Sequence, residues 1–223
     1  MVPGMFVVAC SGFPIAVSRY LNEFLAVEIS DTEIGIPGTG TIRRWQREAP
    51  DGFVFTVLAP SEIGASGFAA GGTTDQAIKN ILSFAKKLSA LAIVFRVPEE
   101  VPCKRPIVTR AKAVLAGLPK GAPQAVLDAP HWPKGQVEKI CEATGAIPAQ
   151  SALDLAEAPS GGMAYLTMPG PAGHRSRYDE DALDELAAIC KRSTAKTTVV
   201  VFRNIDMEAN AKRLLSLLGL APE

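Results

Sequence analysis

Charged residues interrupt several apolar runs of the sequence, and their chemistry needs an explanation. Glu28, Arg96 and Asp128 each lie within or at the end of such a run. Arg203 directly follows another, Thr198–Phe202. A buried charge costs free energy unless it is paired, so each of these residues is expected to have an ion-pair partner or a functional role. We therefore treat Glu28 and Asp128 as candidate catalytic carboxylates, and Arg96 and Arg203 as candidate binding groups.

The sequence contains two histidines, His131 and His174, which are far apart in predicted loops. A neutral imidazole titrates near pH 7 and can serve as a general base or a metal ligand. We take His131 as the third candidate catalytic residue. Neither histidine has a second one at helical spacing, and the closest cysteines, Cys103 and Cys141, form no CxxC pair. We therefore predict no bound metal and no cofactor.

The common catalytic and nucleotide-binding motifs do not occur in the sequence. It has no GxxxxGK[ST], no HExxH, no GxSxG and no GxGxxG after a predicted strand. The glycine-rich stretch Gly35–Gly40 has the wrong spacing for a phosphate loop and is typical of a turn before a helix. No reaction follows from these motifs.

Short β-branched runs alternate with amphipathic stretches along the chain, which predicts repeated βα units. The pattern favours a compact (β/α)8 TIM-type barrel with parallel strands and one or two helices short or missing, with a doubly wound open sheet as the alternative. We predict one domain, residues 1–223, and leave the conformation of residues 59–75 open. The predicted strands are 6–10, 25–29, 53–58, 91–97, 124–128, 163–168 and 198–202, with a weaker one near 146–147; the predicted helices are 41–47, 107–118, 136–143 and three amphipathic stretches near 75–88, 180–192 and 207–218.

A barrel carries its chemistry at the carboxyl ends of its strands, where the βα loops meet. Glu28 and Arg203 lie at the ends of the predicted second and eighth strands, which flank the first in a closed barrel. We therefore predict that they form an ion pair, with Arg96 as the competing partner of Glu28. Leu58 and Met168 are expected to line the same end of the barrel, beside Glu28.

Composition excludes several classes of protein. Twenty-three Lys and Arg balance 23 Asp and Glu, which disfavours a nucleic-acid or anionic-membrane partner. Dispersed cysteines indicate a reducing compartment, so we predict a cytoplasmic protein. Val7–Cys10 resembles the end of a lipoprotein signal, but no basic residue precedes it, and Leu88–Val97 is too short to span a membrane.

Two stretches of the sequence, Val27–Thr32 and Val201–Asn204, contain recognisable motifs. The first resembles the VEINxTFY motif and the second the FNN stretch of the YecE-like family, a domain of unknown function (family 72). The resemblance spans most of the chain; it implies a TIM-type barrel and no established reaction. It also makes Tyr178 and Asn204 candidate binding residues. Further matching positions are Pro37, Thr41, Arg44–Trp45, Pro50, Phe53–Phe55, Lys87–Leu88, Phe95–Pro98 and Ala164–Leu166.

The sequence also departs from the family at several polar positions. Leu58 stands for a lysine, Arg96 for a glutamine and Arg203 for the first asparagine of FNN. Our first hypothesis is a pseudoenzyme that binds a protein or small molecule as a scaffold or regulatory partner. The second is an enzyme or ligand-binding barrel, for example a hydrolase of phosphorylated or nucleotide-like substrates that uses Glu28, Asp128, His131 and Arg203. Other departures are the absent YxxW between Phe13 and Tyr20, Leu127–Trp132 for ExRHxSW, and Thr167 and Pro169 for the arginine and histidine of RxHG.

Overall fold

Eight parallel strands follow one another around a closed barrel in chain order, and the last pairs with the first. The computed structural model describes residues 4–220. This is the predicted (β/α)8 fold, and the open-sheet alternative is wrong. The strands are β1 (Met5–Ser11), β2 (Ala26–Ile29), β3 (Val54–Leu58), β4 (Ala92–Arg96), β5 (Gln124–Asp128), β6 (Ile147–Ser151), β7 (Met163–Met168) and β8 (Thr197–Phe202).

Helices connect most strands, with two irregularities. Two helices follow β3, whereas a single 3-10 turn, Ala152–Asp154, lies between β6 and β7. The expectation that a helix would be missing is therefore confirmed. A second 3-10 turn, Asp31–Glu33, follows β2. The helices are α1 (Val17–Glu23), α2 (Thr39–Glu48), α3 (Ser61–Ala65), α4 (Gly72–Lys87), α5 (Arg105–Ala116), α6 (Lys134–Thr144), α7 (Glu180–Arg192) and α8 (Met207–Leu217).

The chain is divided into two compact units that interleave along the sequence. The first comprises the residues up to Glu28, Glu48–Val54 and the residues from Gln150 onwards. The second comprises Ile29–Arg47 and Phe55–Ala149. The single domain expected from the sequence stays a prediction.

In the first unit, β1 pairs with both β2 and β8, and β8 pairs with β7. The run Val199–Phe202 is completely buried, because β8 is covered on both faces as parallel strands usually are. The two ends of α7 carry charges in the order that the helix dipole favours. Asp179 caps the start of the helix by accepting a hydrogen bond from the Ala182 N–H. Lys191 and Arg192 lie in the last turn, where the helix dipole favours a positive charge.

In the second unit, β4 pairs with β3 and β5, and its apolar residues Ala92–Phe95 are buried. Thr32 fixes the turn after β2, since its hydroxyl donates to the carbonyl oxygens of Ile29 and Leu58 at 3.0 and 2.6 Å. Residues 35–38 form a loop that leads into α2, as predicted, and Thr39 and Gly40 belong to the helix itself. Throughout residues 4–220, no helix is both long enough and apolar enough to cross a membrane.

Candidate functional site

Strand register places four side chains of the first unit on one face of the sheet. Ser11 and Glu28 are neighbours in register across β1 and β2. Thr167 is in register with Val201 on β8, and Val201 is in register with Ala9, two residues before Ser11. Because side chains alternate along a strand, Ser11, Glu28, Tyr165 and Thr167 point to the same side.

Glu28 and Arg203 form a bidentate ion pair on this face. The Nε of Arg203 donates to Oε1 of Glu28 at 2.9 Å, and its Nη2 donates to Oε2 at 2.7 Å. The Glu28 side chain is completely buried, and that of Arg203 is 10% exposed. The predicted ion pair is confirmed. Strand β1 pairs with β2, which carries Glu28, and with β8, which Arg203 directly follows, so the carboxyl ends of β2 and β8 lie within reach of each other.

Two hydroxyl groups complete the surroundings of the Glu28 carboxylate. The Tyr165 hydroxyl donates to Oε2 at 2.7 Å, and the hydroxyl of Ser11 adds a further hydrogen bond. Burial alone would raise the pKa of Glu28. The charge of Arg203 and the hydrogen bonds from Arg203, Ser11 and Tyr165 outweigh burial and hold the pKa of Glu28 below its ordinary value. Glu28 is therefore ionised at neutral pH.

This lowered pKa predicts an acid-sensitive contribution to stability. The unfolded chain binds the Glu28 proton more readily than the folded chain, so the contribution is complete above the ordinary glutamate pKa of about 4.3 and is lost as the pH falls through the lower, folded value. We expect the free energy of unfolding of the wild type to fall more steeply than that of Glu28→Gln between about pH 5 and about pH 2. Urea unfolding followed by circular dichroism measures both slopes, and parallel slopes would contradict the assignment.

Met168 does not line this site, contrary to the sequence-based expectation. It is in register with Phe202, which is in register with Cys10 on β1. Cys10 precedes Ser11, so Met168 points to the opposite side of the sheet from Glu28. Burial on that side raises the pKa of Cys10 to about 12, so its thiol is not a nucleophile at neutral pH.

The loop after β7 is fastened to the residues that follow β8. The N–H of Arg203 donates to the carbonyl oxygen of Met168 at 2.9 Å, and the His174 ring nitrogen Nδ1 lies 2.6 Å from the carbonyl oxygen of Arg203. Asn204 is buried, donates to the Ser176 carbonyl oxygen at 3.3 Å and accepts from Asn210 at 3.1 Å. These contacts hold the backbone of Arg203 in place.

Tyr178 also contributes to this loop, because its hydroxyl accepts the Gly170 N–H at 2.8 Å. The side chains of Asn204 and Tyr178 thus make hydrogen bonds that stabilise this loop. Their proposed role in binding stays a prediction.

A second charged group lies in the second unit. Nη1 of Arg96 donates to both carboxylate oxygens of Glu33, at 3.1 and 3.3 Å, and its Nε lies 3.6 Å from Oδ2 of Asp128. The Arg96 side chain is 46% exposed, whereas that of Asp128 is 8% exposed. Leu58 is buried and, by register through Val94, points to the same side as Arg96.

His131 is exposed in the turn between β5 and α6, and Trp132 beside it is buried. The Trp132 indole N–H donates to the Val101 carbonyl oxygen at 2.9 Å, so this buried side chain has a structural contact. Within the described part of the chain, no three His, Cys, Asp or Glu side chains are grouped so that they could hold a metal ion.

Sequence reasoning missed two residues of these groups, Tyr165 and Glu33. The sequence does contain a signal for Tyr165. It lies two residues before Thr167 on β7, so both side chains point to the face of the sheet that carries Glu28. Glu33 has none, since its contact with Arg96 depends on the 3-10 turn after β2.

Comparison with known proteins agrees with this architecture. The family model described as protein of unknown function DUF72 matches residues 16–223. The search of curated proteins produced no significant match. A DUF72 family protein from Enterococcus faecalis V583 has a similar structure, with a TM-score of 0.76 and 15% identity over 98% of this chain and 99% of that one.

Two further solved structures are similar. A DUF72 family protein from Thermotoga maritima has a TM-score of 0.75 and 16% identity over 96% of this chain and 99% of that one. A xylose isomerase domain protein from Alicyclobacillus acidocaldarius has a TM-score of 0.58 and 12% identity over 96% and 99% of the two chains. At these identities the likeness concerns the fold alone. The family match over nearly the whole sequence shows that this chain belongs to the DUF72 family.

Proposed function

We propose that this DUF72 protein acts by binding, as a scaffold or regulatory partner, and that Glu28 holds Arg203 instead of transferring protons. The observation that carries the proposal is the saturated carboxylate of Glu28. Both of its oxygens accept hydrogen bonds from Arg203, and Oε2 accepts a second from Tyr165.

General acid–base catalysis makes two demands that Glu28 does not meet. A general base has to be able to reach the proton it removes, and the most effective pKa lies near the working pH. The oxygens of Glu28 are already occupied, and its pKa is lowered, which makes it a weaker base. As a general acid it would carry no proton at neutral pH.

The position of Arg203 supports the same conclusion. It stands where the family resemblance has the first asparagine of FNN. An asparagine side chain is neutral and cannot balance a buried carboxylate, whereas the guanidinium supplies a full charge in planar, bidentate geometry. Arg203, the residue that departs from the family motif, is therefore also the residue that balances the charge of Glu28.

The proposed partner is a protein or a small molecule, and the proposed location is the cytoplasm. The thiols support that location, because Cys10, Cys103, Cys141 and Cys190 are all free and three of them are buried. We further take the chain to act as one domain, because each compact unit is made of separated segments of the sequence.

A hydrolase of phosphorylated substrates is the second candidate. It is favoured by Arg96, the last residue of the apolar strand β4, whose partly exposed guanidinium could contact a phosphate group. In that case Asp128, which lies beside Arg96, would act on the substrate.

Two measurements distinguish the candidates. Carbon-13 NMR of the glutamate carboxyl groups should show Glu28 titrating below the ordinary range in the wild type, and closer to or above it in Arg203→Asn, where the ion pair is lost. Assays with p-nitrophenyl phosphate and bis(p-nitrophenyl) phosphate should give equal rates for the wild type, Glu28→Gln and Asp128→Asn. A wild-type rate that falls about a hundredfold or more in either variant would overturn the binding proposal.

A further inference from the structure

A surface cavity of about 330 Å³ lies in the second unit, between α2 and the carboxyl end of α4. None of its lining residues belongs to the Glu28 site or to the Arg96 group. The lining residues are Thr39, Ile42, Arg43, Gln46 and Lys87.

The lining combines two cations with an apolar residue and a fixed amide. Arg43 and Lys87 are exposed, and within the described chain neither has an ion-pair partner. Ile42 is buried and provides an apolar wall. The Gln46 side-chain N–H donates to the Lys87 carbonyl oxygen at 2.5 Å, and this hydrogen bond joins α2 to α4. It also occupies a carbonyl oxygen that would otherwise repel an anion.

The start of α2 adds to the positive potential. Thr39 is the first residue of this ten-residue helix, and its first turn has no acidic side chain. Backbone N–H groups at the start of a helix lack partners within the helix, and the helix dipole favours a negative charge there. Thr39 also offers a hydroxyl group as a hydrogen-bond donor.

The balanced charge of the whole sequence conceals an excess of cations in the second unit, which contains this cavity. The second unit contains fourteen Lys and Arg but nine Asp and Glu, a formal net charge of +5, and the first unit carries the compensating −5. Lys86 precedes Lys87 at the end of α4, and Arg44 follows Arg43 on α2. A local cationic field of this kind attracts anions even when the whole molecule is neutral.

We propose that this cavity binds a small phosphorylated molecule, with the phosphate between Arg43 and Lys87 beside the first turn of α2. Two cations match the two negative charges of a phosphate monoester, and the arginine can bind it through two hydrogen bonds. The volume is near the lower end of the range for small-molecule sites, about 300–1,000 Å³, which fits a sugar phosphate better than a dinucleotide. The apolar wall at Ile42 would contact the uncharged part of the ligand.

Titration calorimetry at low ionic strength tests the proposal with ribose 5-phosphate, inorganic phosphate and uncharged ribose. We expect one saturable site for ribose 5-phosphate, weaker binding of inorganic phosphate and none of ribose. Arg43→Gln and Lys87→Gln should each weaken the binding of ribose 5-phosphate about tenfold.

Lys79→Gln is the matched control, since Lys79 is an exposed lysine on the same helix that does not line the cavity. At about 0.15 M salt, where the Debye length is about 8 Å, the affinity of this variant should stay within about twofold of the wild type measured in the same buffer, because Lys79 lies about 12 Å from Lys87 along the helix. Equal weakening by all three substitutions would show a diffuse charge effect and overturn the site. Absence of saturable binding by the wild type would also overturn it, as would binding of a single-stranded oligonucleotide but not of ribose 5-phosphate.

Discussion

Replacing Arg203 with alanine should lower the free energy of unfolding by about 3 kcal/mol, as expected when one member of a buried ion pair is removed. The Glu28 carboxylate would then lie completely buried with no cation at 2.7–2.9 Å. It would keep the hydrogen bonds from Tyr165 and Ser11, which do not balance its charge. Urea unfolding at about pH 7 measures the loss directly.

Two companion variants show whether charge is the cause. Arg213→Ala is the matched control, because this arginine of the first unit pairs with Glu180 at the surface, where the two side chains are 42% and 69% exposed. It should cost no more than about 0.5 kcal/mol. Adding Glu28→Gln to Arg203→Ala should restore part of the stability by removing the unpaired charge. A loss below about 1 kcal/mol for Arg203→Ala alone would show that the pair contributes little to folding and would favour a role in ligand binding.

Gly64→Ala should also destabilise the protein strongly, by about 3 kcal/mol. Gly64 lies in α3, and an added Cβ atom would come within 1.8 Å of the Arg96 carbonyl oxygen and 3.0 Å of its carbonyl carbon. Both are backbone atoms at the end of β4, so no side-chain rotation can relieve the clash. Thermal unfolding provides the measurement, and unchanged stability would contradict the close approach of α3 to β4.

Gly40→Ala is the control for this substitution. Gly40 lies in α2, and a Cβ atom there would have no neighbour within 4 Å. Because alanine favours a helix over glycine, this variant should be stabilised by up to about 1 kcal/mol. The same chemical change is thus expected to act in opposite directions at the two positions.

Elements with a strong local signal could be predicted from the sequence. The bounds of β5 and β7 agree with the prediction, since both are apolar runs bounded by loops. Helix α1 was missed, because it has seven residues, no side-chain cap and no acidic residue in its first turn. Strand β6 gave a weak signal because its sequence IPAQS contains a proline and is only half-buried throughout.

The candidate site could be predicted only where strand order alone brings residues together. The Glu28–Arg203 pair follows from the adjacency of β1 to β2 and β8, which (β/α)8 barrels share. Met168 was misplaced because the sequence does not show which residue of a fully buried strand faces inward. The cavity beside α2 was missed as well, since a net charge of zero does not reveal how charges are distributed.

The pairing of β1 with β8 has a consequence for synthesis on the ribosome. Met5 is in register with Thr197, so about 190 residues are added between the two strands. At the usual 5–20 residues per second, β1 waits roughly 10–40 s for this partner. Until then one side of β1 is an open strand edge, the kind of surface that joins other chains in aggregates. Slow or stalled translation before β8 should therefore favour capture of the nascent chain by chaperones.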